Sequence, residues 1–91
     1  MSLHRYAAKR DANEREIIKA LRQLGAEVYE LSSRSIPDLL IGWRGQNYLV
    51  EVKQEKGKLT KDQERFHQTW TGQVAIIRSV DEAITFLLEK R

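Results

Sequence analysis

The chain has 91 residues, of which 41% are hydrophobic and 32% are charged, and its net charge at neutral pH is +3. This composition is typical of one folded domain; it excludes a disordered chain, and the longest apolar runs are too short to cross a bilayer. Cysteine is absent, which excludes disulfides and thiolate metal sites and fits an intracellular protein.

A basic N-terminal segment, residues 1–10, precedes the first predicted element and is expected to be a mobile tail. It contains no apolar stretch like that of a secretory signal, so no such signal is expected. Apolar residues at helical spacing predict a helix from Asp11 to Leu24, and Gly25 stands where helices commonly stop. Residues 27–31 predict a short strand, and the serines of residues 32–35 predict a loop.

Residues 37–53, PDLLIGWRGQNYLVEVK, predict a β-hairpin whose turn covers residues 44–47. Side chains alternate along a strand, so Glu51 and Lys53 point to one face while the valines beside them pack in the core. Pairing of the two arms brings Asp38 near Glu51 in one register, whereas a slip of one residue separates them. The sequence alone leaves both registers open.

A charged loop follows the hairpin and leads into a second helix. Thr60 and Gln63 have the spacing of a capping box, so this helix is predicted to start there and to end near Trp70. Phe66 and Trp70 lie one turn apart and are expected to pack in the core. His67 is expected to be a surface or partly buried side chain rather than a metal ligand.

The end of the chain predicts a strand and a third helix. The apolar run QVAIIR, residues 73–78, is long enough for one buried strand, and Ser79 with Glu82 forms a second capping-box pair. The apolar stripe of the last helix is predicted at Ile84, Leu87 and Leu88. The fold class is therefore α/β, in the order αβββαβα, with a mixed sheet flanked by helices. The last strand, reached through a helix, is expected to pair in parallel.

Asp38, Glu51 and Lys53 would place two carboxylates and one ammonium at one end of the sheet. Two carboxylates held close together in a low-dielectric site repel each other unless a cation compensates them. Carboxylates without cysteine or histidine suit Mg²⁺ or Mn²⁺ rather than a structural zinc ion. Each residue alone has a simpler interpretation, with Asp38 as a turn residue after proline and the other two as a solvated ion pair.

Pro37-Asp38 followed by Glu51-Val52-Lys53 resembles the motif of the PD-(D/E)xK nuclease superfamily. The stretches NEREIIKALRQLG, PDLLIG, VEVK and LTKDQERFH resemble in particular the VRR-NUC (virus-type replication-repair nuclease) domains, which are related to archaeal-type Holliday-junction resolvases. The likeness covers nearly the whole chain, which is expected to form a single domain over residues 1–91. It implies a restriction-endonuclease-like core.

The resemblance also implies roles for individual residues. The catalytic residues that it implies are Glu14, Asp38, Glu51, Lys53 and Gln63. Its metal ligands are Glu14, Asp38, Glu51 and the backbone carbonyl of Val52. Helical spacing independently places Glu14 on the inward face, beside Ile17 and Ile18. For Gln63, the capping box alone is an equally good explanation.

The activity that the resemblance implies is that of a Mg²⁺- or Mn²⁺-dependent endodeoxyribonuclease that leaves a 5′-phosphate and a 3′-hydroxyl. So small a domain is expected to recognise the shape and backbone of DNA rather than its sequence. A symmetric homodimer would match the paired cleavage points of a four-way junction, which favours a Holliday-junction resolvase in DNA repair. A phage or prophage origin and a cytoplasmic location are expected. The alternatives are a flap or general nicking nuclease that works with partner proteins, and a non-catalytic DNA-binding module.

Basic side chains flank the expected site and are predicted to contact DNA phosphates. They are Arg34, Lys56, Lys58 and Lys61. Trp43 and Arg44, at the tip of the hairpin, are expected either to touch nucleic acid or, in the case of Trp43, to pack at a subunit interface.

Overall fold

The computed structural model of the chain describes residues 11–90, and the predicted N-terminal tail lies outside them. In this part of the chain three helices and four strands follow the predicted order. They are α1 (Glu14–Gln23), β1 (Glu27–Glu30), β2 (Leu39–Trp43), β3 (Gln46–Val52), α2 (Lys61–Thr69), β4 (Val74–Ile77) and α3 (Val80–Leu88). No helix within residues 11–90 is long and apolar enough to cross a membrane.

The four strands form one mixed sheet in the order β1-β2-β3-β4. The first three strands run antiparallel as a meander, whereas β4 lies parallel to β3 because the chain returns through α2. The predicted parallel pairing of the last strand and the mixed α/β fold class are therefore confirmed.

The two faces of the sheet carry different side chains because residues alternate along each strand. On the inner face, Leu39, Ile41 and Val50 are fully buried. They share one core with Ile17 of α1 and Leu87 of α3, so these two helices cover the inner face. The alternate residues, which include those of the expected site, point to the opposite, outer face.

The hairpin turn between β2 and β3 is shorter than predicted. Arg44 and Gly45 have φ angles of 50° and 82°, and two such residues reverse the chain with a twist that suits the strands. The next two residues therefore already belong to β3. Trp43 has neither of its expected surface roles, because its ring is buried and its Nε1 donates a 3.1 Å hydrogen bond to the carbonyl of Leu87. The guanidinium of Arg44 stacks over this ring, 4.7 Å from its centroid.

The prediction for the apolar stripe of α3 is wrong at Leu88. Ala83 and Leu87, one turn apart, are fully buried, while Ile84 is half-buried and Leu88 is 57% exposed. Val80 and Phe86 also pack against the core, so the helix contacts it on this side and leaves Leu88 in solvent.

The second capping box is only half formed. The hydroxyl of Ser79 accepts a hydrogen bond from the N–H of Glu82 at 3.1 Å, as predicted. The carboxylate of Glu82, however, accepts from the N–H of Arg78 at 2.7 Å, one residue before the cap.

The prediction that Trp70 packs in the core is wrong, because this residue is 46% exposed. It lies just beyond the end of α2, where the backbone is extended, so its ring lies at the edge of the sheet rather than in the core. Phe66 is half-buried, and so is His67, whose imidazole has a lowered pKa because of burial. The strand predicted to be buried, β4, is half-buried except at Ile77.

Candidate active site

Asp38 and Glu51 meet on the outer face, just beyond the paired part of β2. The register pairs Leu39 with Val50, so the next opposing residues are Asp38 and Glu51. Oδ2 of Asp38 accepts a 2.8 Å hydrogen bond from the backbone N–H of Val52, which fixes this carboxylate against the neighbouring strand. Of the two registers left open by the sequence, the chain adopts the one that joins the two acids.

Burial makes the Glu51 carboxyl difficult to ionise. Its side chain is only 3% exposed, and burial is the main cause that raises the pKa of Glu51 from 4.5 to about 8. The charge of Asp38 and a hydrogen bond between the two carboxyls raise this pKa further; Lys53 lowers it, and Asp11 makes a smaller contribution that raises it. At neutral pH the Glu51 carboxyl therefore retains a proton, chiefly because its side chain is buried.

Gln63 reaches this pair while it caps α2. Its Oε1 accepts a 2.8 Å hydrogen bond from the N–H of Thr60, and its own N–H donates to Oγ1 of Thr60 at 3.2 Å. Its Nε2 donates to Oε2 of Glu51 at 3.0 Å. The capping role and the site role of Gln63 are therefore compatible, since they use opposite ends of one amide. The start of α2 thereby fixes the orientation of the Glu51 carboxyl.

Lys53 is half-buried on the same face, and Asn13 holds its backbone. Nδ2 of Asn13 donates to the carbonyl of Lys53 at 3.2 Å and to the carbonyl of Arg78 at 2.9 Å. Asn13 thus ties the start of α1 to the ends of β3 and β4. Sequence reasoning missed this role, because it placed Asn13 inside the first helix. The helix begins only at Glu14, and the side chain of Asn13 makes no capping hydrogen bond.

Asn13→Ala is expected to lower the free energy of unfolding by about 1–3 kcal/mol, because two partly buried carbonyls lose their shared donor. Urea denaturation followed by circular dichroism measures the change. The matched control is Gln68→Ala at an exposed position of α2, for which a change below about 0.5 kcal/mol is expected. Equal losses in the two variants would show that the Asn13 bridge does not stabilise the fold.

Glu14 is buried at the start of α1, with 3% of its side chain exposed. It shares the inward face with Ile17 and Ile18, while Glu16 is exposed, as helical spacing predicts. Within residues 11–90, no three acidic or histidine side chains lie close enough together to hold a metal ion. The structure therefore joins two of the three expected acids, and the role of Glu14 as a further ligand stays a prediction.

The four basic residues predicted to contact DNA are all exposed: Arg34, Lys56, Lys58 and Lys61. Arg78, which sequence reasoning missed, shapes the loop that carries two of them. Its Nη1 donates to the carbonyls of Gln54, Glu55 and Gly57 at 2.9, 3.3 and 2.6 Å. An arginine that follows an apolar strand gives no sequence signal for such a role.

The Asp38–Glu51 pair fits a divalent cation. Mg²⁺ binds through one or two carboxylates and completes its shell with water and substrate phosphates. The two acids supply those oxygens, and burial, followed by the neighbouring charge of Asp38, raises the pKa of Glu51. Asp38 and Glu51, with the backbone carbonyl of Val52, are the groups that would hold the ion.

A mixed sheet that joins the buried Glu51 to the half-buried Asp38, with a lysine on the same strand face, is the arrangement expected of a nuclease of the PD-(D/E)xK type. A model of the VRR-NUC domain family matches residues 3–81, and the chain belongs to this family of nucleases, which are generally dependent on divalent metal ions. A solved structure described as a VRR_NUC domain is similar, with a TM-score of 0.72 and 26% sequence identity, over 89% of this chain and 100% of that one. No curated protein matches the chain. The predicted family is therefore confirmed.

Proposed function

We propose that this nuclease is a structure-selective DNA endonuclease, a Holliday-junction resolvase that acts as a homodimer with Mg²⁺ or Mn²⁺. The observation that carries the proposal is the Asp38–Glu51 pair, in which the half-buried carboxylate of Asp38 lies against the buried carboxyl of Glu51. A paired site of this kind, with Lys53 on the same face, supports phosphodiester hydrolysis.

Each residue of the site has a distinct part in the proposed reaction. A divalent ion, when bound, would supply Lewis-acid activation of water and neutralise charge on the phosphate. Lys53 orients or deprotonates the attacking water, or offsets the charge that develops on the phosphate. Gln63 holds the carboxyl of Glu51 through the hydrogen bond from its Nε2. The expected products are a 5′-phosphate and a 3′-hydroxyl.

The exposed basic residues around the site support DNA as the substrate. Phosphate contacts position a protein on DNA without reading its sequence. Lys56 lies in the loop that Arg78 holds, so its ammonium projects from a fixed part of the surface. Recognition of branched DNA would then depend on how the backbone of each arm contacts these residues. Separately, Glu14 is proposed as a further metal ligand.

With Mg²⁺ or Mn²⁺, the protein is expected to cut a four-way junction faster than a flap or a linear duplex of the same sequence, and to cut it at paired positions. A symmetric dimer presents two sites to two equivalent strands, which is the reason for the pairing. Denaturing gels of end-labelled strands measure the rates, and sedimentation measures the oligomeric state.

Lys53→Ala is the control for contaminating nucleases and should be inactive on all three substrates. Equal cutting of the three DNAs, or a monomer at the working concentration, would contradict the junction proposal. Preferred cutting of the flap would support the alternative nuclease. Binding without any cleavage would leave only a DNA-binding module.

A further inference from the structure

A groove on the outer face lies beside the proposed site. Its floor is formed by Leu40 and Leu49, one wall is the indole of Trp70, and its rim carries the side-chain amides of Gln46, Asn47 and Gln73. Its volume of about 540 Å³ falls in the range of small-molecule sites. None of the residues that line it within the described part of the chain is charged, although 32% of all residues are.

The groove begins directly next to the two acids. Leu40 and Leu49 face each other in the β2–β3 register, two residues along each strand from Asp38 and Glu51. Residues two apart on a strand project from the same face and lie about 7 Å apart. A ligand with one end at the acids can therefore extend over this apolar floor.

Trp70 is held in place as a wall of the groove. Its ring stacks on Phe66 with centroids 5.1 Å apart and planes at 18°. A Cβ on Gly72 would lie 2.7 Å from Nε1 of Trp70, so the indole occupies space that only a glycine leaves open. The residue is nevertheless 46% exposed, which leaves aromatic surface available for another ring.

We propose that this groove binds an unpaired nucleobase of the DNA, stacked on Trp70, when a neighbouring phosphate lies at Asp38 and Glu51. The inference rests on the proposed function and adds a subsite to it. Bases stack on aromatic side chains irrespective of sequence. Nε2 of Gln73 already donates to the carbonyl of Asn47 and to Oε1 of Gln46, and the remaining amide groups of the rim can pair with the donors and acceptors of a base edge. A phosphate would instead require basic residues, which this groove lacks.

Fluorescence of the Lys53→Ala protein, which is expected not to cleave, and of its DNA complexes with Mg²⁺ tests the proposal, and the further variants are made in the same background. The probes are a duplex with one unpaired thymidine and the same duplex without it. The emission of Trp70 is expected to fall only with the first probe, while buried Trp43 gives a constant background. Trp70→Ala should weaken binding of the first probe by about tenfold or more and change binding of the second by less than about twofold.

Two further variants separate stacking from a general loss of structure. Trp70→Phe retains an aromatic face and should keep most of the preference for the unpaired base. Gly72→Ala keeps the tryptophan but displaces its indole, so it should reduce the preference. Leu88→Ala, at an exposed position of α3, is the matched control and should behave as the Lys53→Ala protein.

Equal weakening of both probes by Trp70→Ala would overturn the proposal. A fall in sedimentation mass of the DNA-free Trp70→Ala protein from dimer to monomer would also overturn it, because the groove would then hold a second copy of the chain. If binding depends on Trp70 and the unpaired base but the wild type cleaves no DNA with metal present, the groove stands and the proposed nuclease function fails.

Discussion

Asp38→Asn is expected to reduce the rate of DNA cleavage by on the order of 10³-fold. Removal of one electrostatic group from an active site typically lowers the rate by this much. Asparagine keeps an oxygen that can accept the hydrogen bond from the N–H of Val52, so the end of the hairpin should keep its shape. The substitution removes the negative charge beside Glu51, which the proposed site needs to hold a cation. Values of kcat/KM on the best-cut DNA, measured with Mn²⁺, give the size of the loss.

The matched control for this prediction is Asp81→Asn, which removes one exposed carboxylate in the first turn of α3. It should cleave DNA at the wild-type rate. Circular dichroism of both variants should match the wild type. If Asp38→Asn retained more than about a tenth of the wild-type rate, the chemistry would not depend on the pair of acids.

Local signals allowed much of the fold to be predicted from the sequence. The capping box of Thr60 and Gln63 uses contacts only three residues apart, and Gly25, with a φ of 107°, ends the first helix segment as glycine often does. Strand alternation likewise placed Glu51 opposite the buried valines. Such features depend on neighbouring residues, so a single sequence contains the information that determines them.

The register of the hairpin could not be predicted, because it depends on the length of the turn. Arg44 takes a φ of 50°, a conformation more usual for glycine or asparagine, and the sequence gives no sign that the turn is restricted to Arg44 and Gly45. That short turn sets the pairing of Leu39 with Val50 and hence the approach of Asp38 to Glu51. The chemistry of the site thus depends on a feature outside the motif.

Long-range hydrogen bonds account for the residues that sequence reasoning missed. Asn13 bonds to carbonyls 40 and 65 positions away, and Arg78 bonds to carbonyls of a loop more than 20 positions before it. Backbone carbonyls occur at every residue, so no residue type marks the partner. The error at Trp70 has a related cause, since its exposure depends on where α2 stops.

Glu51→Gln is expected to raise the free energy of unfolding of the metal-free protein by about 1–2 kcal/mol at neutral and higher pH. Gains of this size are common when a functional residue that destabilises the fold is replaced. The pKa of Glu51 is about 8 in the folded chain and near 4.5 when exposed. Between these values the folded state binds more protons than the unfolded state, so the contribution of this group to the free energy of unfolding falls as pH rises. Glutamine is neutral throughout and can still accept the hydrogen bond from Gln63.

Urea denaturation in EDTA at a series of pH values measures this effect. The stability difference between Glu51→Gln and the wild type should be small near pH 4.5 and grow until about pH 8. Added Mn²⁺ should stabilise the wild type, by about 2.7 kcal/mol at a hundredfold excess over Kd, and stabilise the variant much less. Glu82→Gln on the surface of α3 is the control and should lack both effects. If the stability difference between Glu51→Gln and the wild type did not change with pH, the Glu51 carboxyl would be ionised in the folded protein. A positive group of the chain would then have to compensate the two acids.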